Sequence, residues 1–71
     1  MIFELVDMET GNVLGAYESE ESALLFFHDL AKRNSHDVLA SIALIREDES
    51  GHGSVVAEGA VLLHRAESMA A

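Results

Sequence analysis

The chain predicts an α+β domain: an antiparallel four-stranded sheet in ββαββ order, with one main helix on one face. Three observations predict it. Short runs rich in branched and aromatic residues come in two close pairs, one early in the chain and one late. Turn residues separate the members of each pair. Between the pairs lies one amphipathic stretch with helix-capping residues at both ends.

Ile2 to Asp7 reads as the first strand. Glu9-Thr10-Gly11-Asn12 supplies turn chemistry, and Val13 to Tyr17 resumes as a second strand, close enough to pair as a hairpin. Gly15 inside that strand marks either a bulge or a close approach by another element. Ser19 is a good N-cap, and Glu20 and Glu21 follow where the helix dipole favours carboxylates. Lys32 and Arg33 sit at the favourable opposite end, and Asn34 can take the left-handed conformation that ends helices. The main helix is therefore expected over about 20–33. Val38 to Arg46 reads as a third strand, Glu47 to Gly53 as a polar loop, and Ser54 to Glu58 as a fourth strand. Gly59 breaks that strand. Leu62, Leu63, Ala66 and Met69 then recur at near-helical spacing and predict a short closing helix at about 60–69. A longer fourth strand through Leu63 is the competing reading.

On a helical wheel Ala23, Phe26, Phe27 and Leu30 form one apolar stripe, edged by Leu24 and Ala31. Leu25 falls on the opposite side, among Glu21, His28, Asp29 and Lys32, and is expected to be exposed. The strands do not show the alternation of a sheet with one wet face. Phe3 and Leu5 oppose Ile2 and Val6. Val13 and Tyr17 oppose Leu14 and Ala16. Val38, Ala40, Ile42 and Leu44 oppose Leu39, Ala43 and Ile45. Both sheet faces are thus expected to be apolar, and one helix covers only one of them. The other needs the closing helix, a second copy or another protein. The candidate interface residues are Leu14, Ala16, Leu39, Ala43 and Ile45 if the main helix covers the opposite face, with Leu25 as a secondary contact.

The bulk numbers narrow the function classes. Seventy-one residues allow one small domain, 1–71. Such a chain buries only about 60% of its unfolded surface, and without cysteines it has neither disulfides nor thiolate metal sites. Small domains of this kind often gain stability by associating. The start, Met1-Ile2-Phe3-Glu4, does not read as a secretory signal, and no apolar run is long enough for a membrane span, so a cytoplasmic location is expected. Thirteen Asp and Glu against four Lys and Arg repel phosphate backbones and anionic lipid, which disfavours nucleic-acid and membrane partners. An acidic surface suits solubility or a basic partner.

No catalytic pattern emerges. His28, His36, His52 and His64 lie at neither helical nor strand metal-ligand spacing, so no metal or other cofactor is expected. The run Arg46-Glu47-Asp48-Glu49-Ser50-Gly51 fails as a calcium loop, because the end positions of that register fall on Arg46 and Ala57. No serine sits in a G-x-S-x-G elbow, and Gly51-His52-Gly53-Ser54 lacks the lysine of a phosphate loop. The expectation is a non-enzymatic protein-interaction module: a homodimer, or a cap on another protein. The alternative is a ligand-binding or catalytic dimer with a histidine-lined cleft.

Phe3-Glu4-Leu5-Val6-Asp7, Thr10-Gly11-Asn12-Val13-Leu14-Gly15-Ala16-Tyr17 and Ser19-Glu20-Glu21-Ser22-Ala23 resemble a group of short ββαββ proteins of high-GC bacteria. Ala43-Leu44-Ile45-Arg46-Glu47-Asp48 and Ala57-Glu58-Gly59-Ala60 are similar to the C-terminal half of that group. The resemblance implies the fold and carries no activity or site residues.

Overall fold

The structure, a computed structural model, describes residues 1–70. The elements run β1 (Ile2–Asp7), β2 (Asn12–Tyr17), α1 (Glu20–Arg33), α2 (His36–Leu39), β3 (Ile42–Glu47), β4 (Gly53–Glu58) and α3 (Gly59–Ala70). The strands form one antiparallel sheet in the order β2-β1-β3-β4. The two hairpins therefore join through β1 and β3, which take the centre, while β2 and β4 are the edges. Asp7 reinforces this junction: its carboxylate accepts from the Ser41 hydroxyl at 3.1 Å, and the Met8 amide donates to the Ser41 carbonyl at 2.8 Å.

α1 starts as its sequence demands. Ser19 is extended (φ −136°, ψ 153°), and its Oγ accepts from the Ser22 amide at 3.1 Å. The other end corrects an expectation. Asn34 is extended (φ −134°, ψ 156°) rather than left-handed, and its side-chain amide donates to the Leu30 carbonyl at 2.9 Å. The last turn of the helix is thus closed by a side chain, not by a backbone reversal.

The third strand is also corrected. Residues 38–41 do not belong to it. Ser35 offers its carbonyl to the Val38 and Leu39 amides, which closes the single helical turn of α2, and β3 begins only at Ile42. A short apolar run fits strand and helix alike on hydrophobicity alone. Here the turn swings Leu39 into the core, 2% exposed, and leaves Val38 outside.

One core holds the layers together. Leu5, Ile42, Leu44 and Ala57 from the sheet meet Ala23, Leu24 and Phe27 from α1, Leu39 from α2, and Leu62 and Ala66 from α3. The register places these sheet residues on one side: Leu44 lies between Leu5 and Ala57 across the strands. Helix α1 packs over β1 and β2, and α3 packs over β3 and β4 beside α1. The closing helix therefore shares the face of the main helix. The molecule measures 34 × 28 × 17 Å. Its thinnest dimension fits one sheet and one layer of helices about 10 Å thick, not a helix on each face.

This arrangement also shifts the core stripe of α1. Leu24, expected at the stripe's edge, is 3% exposed, while Phe26 is only partly buried. α1 has two neighbours, the sheet beneath and α3 alongside, so its apolar arc turns towards α3. Phe26 instead lies at the outer rim, its ring 5.7 Å from that of Tyr17. Gly15 makes this possible: a Cβ there would lie 2.5 Å from the Tyr17 hydroxyl oxygen. The ladder between β1 and β2 also shifts beside Gly15, so the residue marks a bulge, while the group crowded against it is Tyr17 of its own strand and not another element.

Candidate functional site

The far side of the sheet is uncovered. Residues directly opposite one another on neighbouring strands share a face, so the register reads out its composition. Val6 pairs with Val13 and with Ala43, Glu4 pairs with Ala16 and with Ile45, and Ile45 pairs with Val55. None of these residues belongs to the core or packs against it. Val13 and Val55 are more than half exposed, at 57% and 53%. Val6 and Ile45 are half-buried by their strand neighbours. Ala43 is fully buried at the floor of this face, because its short side chain is overhung by the larger ones around it.

The face also carries carboxylates. Glu4 and Glu47 lie on it diagonally across β1 and β3, and Glu58 lies beside Ala43. A hydrogen bond with the Glu47 carboxyl, partial burial and the like charge together hold the Glu4 carboxyl above its ordinary titration range. Among the described residues, none of the four Lys and Arg side chains shares this face. Lys32 and Arg33 end α1, and Arg33 pairs with Asp29. Arg65 on α3 reaches Glu20 of α1 at 3.2 Å, and Arg46 is opposite Phe3 on the helix-side pleat.

The expected interface residues divide among three places. Ala16 and Ile45 belong to the open face; Ala43 lies on that side but is fully buried, so it offers no surface to a partner. Leu14 borders it: a register shift leaves it without a partner in β1, between Val13 and Gly15, and 40% exposed. Leu39 is a correction. It sits in α2 and in the core, so it is not available to a partner. Leu25 is exposed as expected, at 52%, but on the helical side, away from the open face. Val13 and Val55 were missed as members of this face. Simple alternation places Val13 with Tyr17, and the bulge reverses that. Gly15 was the available signal. A second bulge, between β3 and β4, sends Val56 against the core and Val55 outwards.

Enclosed chemistry is sparse. A hollow of about 280 Å³ lies between α2 and the start of α3, lined by Asp37, Leu39, Ala40, Gly59, Ala60 and Leu63. A shallower one of about 330 Å³ lies at the β1–β2 turn, with Asp7, Glu9, Thr10 and Asp37 on its walls. Neither contains a nucleophile set against a base. Among the described residues no three His, Asp or Glu side chains converge as metal ligands. His28 is half-buried on α1, His52 and His64 are exposed, and the side chain of His36 lies outside the described residues.

The acidic loop after β3 has a structural explanation. Asp48 Oδ1 accepts from the Ser50 amide at 3.0 Å, the Ser50 hydroxyl at 2.6 Å and the His52 amide at 3.0 Å. These bonds, led by the hydroxyl, lower the Asp48 pKa. The carboxylate ties the hairpin tip and is not arranged around a cation. Among the described residues no helix is long and apolar enough to cross a membrane. No protein-family model, curated protein or solved structure matches the chain.

Proposed function

We propose that this protein is a non-enzymatic interaction module that works through the open face of its sheet, by capping another protein or a second copy of itself. One observation carries the reading: both long helices pack on the same side, so the apolar residues of the other side have no internal partner. A sheet side that met only water would be expected to alternate into polar residues. Val6, Val13, Ala16, Ile45 and Val55 do not follow that pattern. The absence of a converging catalytic set in either hollow is compatible with this reading without carrying it. The histidine-lined cleft gains no supporting observation.

Site-directed photocrosslinking in the protein's own cells tests the proposal. A photoreactive residue in place of Val13 or Val55 is expected to yield one discrete adduct, whether with a second copy or with another protein. The same group in place of the exposed Val61 on α3 is expected to yield none. Adducts from Val61 alone, or from no position, would overturn the reading.

A further inference from the structure

We infer that the open face receives a cationic, amphipathic segment of another protein rather than a second copy of this chain. This rests on the open face being an interaction surface and adds the chemistry of what covers it.

The first ground is charge. Glu4, Glu47 and Glu58 stand among the valines and Ile45, and no Lys or Arg shares that side. A two-fold pairing of this face would set three carboxylates of one copy against three of the other, with no cation between them. Removing unpaired like charges from water is strongly unfavourable. A partner with lysines or arginines between apolar residues reverses the sign of every one of those contacts.

The second ground is fit. Four strands about 4.8 Å apart make a face about as wide as two helices side by side, the layer that α1 and α3 already form on the other side, so one or two amphipathic segments would fill it. The rest of the surface points the same way: with a net charge of −9, a second copy is repelled before contact.

The test uses the whole chain at pH 7 and moderate salt. Sedimentation is expected to find a monomer. A synthetic Leu/Lys amphipathic peptide is expected to bind, and a Leu/Glu peptide of the same pattern is not. NMR shifts on binding should concentrate at Val13, Ala16, Ile45 and Val55. Combined Glu4→Gln, Glu47→Gln and Glu58→Gln should weaken the Leu/Lys complex by about tenfold. Combined Glu21→Gln, Glu49→Gln and Glu67→Gln, which removes the same charge elsewhere, should leave it nearly unchanged. A dimer at pH 7 that Val55→Glu dissociates would overturn the partner chemistry and leave the interaction face standing. Equal loss of binding in both Gln variants, or shifts concentrated on the helices, would reduce the peptide's binding to general charge attraction and overturn the inference. A monomer that binds neither peptide would overturn the inference and count against the interaction face as well.

Discussion

The two sides of this sheet are built from alternate residues of the same strands, yet they obey different rules. Leu44 is fully buried beneath α1 and α3, while Ile45, the next residue, belongs to the side with nothing above it. Ala57 is 5% exposed and Val55, carried to the other side by the bulge between β3 and β4, is 53% exposed. The chemical character of the two sides is similar; the coverage is not. In a strand, apolar character therefore signals that a residue is suited to contact. It does not say whether the contact lies within the chain. The one chemical difference is the carboxylates, which the helix side excludes from its centre and the open side places between its apolar groups.

The largest expected effect lies on the covered side. Phe27→Ala removes the largest side chain of the core and should cost about 3–5 kcal/mol. A domain of this size has a total stability of roughly 4–10 kcal/mol, so calorimetry should find a greatly lowered Tm or no transition. A loss below about 1 kcal/mol would break the comparison, because the covered side would then be no better packed than the open one.

Next comes the hinge between the sheet and its cover. Gly59 joins β4 to α3 without an intervening residue, at φ +56°, and a Cβ there would lie 3.1 Å from the Ala40 carbonyl oxygen. Gly59→Ala should cost about 1–3 kcal/mol, from left-handed backbone strain and this close approach. Urea unfolding measures it. A neutral outcome would mean that α3 can leave that turn at no cost.

Ser19→Ala removes the acceptor for the Ser22 amide at the start of α1 and should cost about 1 kcal/mol in the same measurement. Val55→Thr exchanges a methyl for a hydroxyl on the uncovered side and should change stability by less than about 0.5 kcal/mol. A substantially larger loss in the isolated chain would mean that something covers Val55 after all, and concentration-dependent unfolding would identify self-association as the cause.

The smallest effect is electrostatic, and its sign follows from linkage. Glu4 titrates higher in the folded chain than in the unfolded one, so the folded state holds that proton more tightly. Stability from this group is present on the acid side and is lost as pH rises through the carboxylate range. Glu4→Gln should therefore gain Tm relative to the parent chain as pH rises, with the difference shrinking in acid. A difference that grows in acid would show that Glu47 does not crowd Glu4.

Most local signals were legible, Asn34 excepted: it ends α1 through its side chain and not through a left-handed backbone. Ser19 caps α1, the turn at 9–12 joins a hairpin, and Gly59 ends the fourth strand because each conformation depends on its immediate neighbours. The open-face positions of Ala16 and Ile45 followed from strand alternation. The errors on the sheet arose where alternation was interrupted. The register shift beside Gly15 moved Val13 to the open face, and the turn closed by Ser35 removed Leu39 from it. A bulge or a one-turn helix changes which way a side chain points by one residue, and composition barely registers the difference.

By itself the sequence determined the two hairpins and the two long helices, the antiparallel α+β class, the excess of carboxylates and the double-sided apolar character of the strands. Those properties follow from side-chain chemistry and short-range backbone geometry. Only the tertiary structure decided that α3 lies beside α1 rather than across the sheet from it. Either placement buries Leu62 and Ala66 against apolar strand residues, so the hydrophobic pattern of α3 is compatible with both. The choice depends on how α3 packs against α1 and on the turn at Gly59, two contacts between distant parts of the chain that no local periodicity encodes.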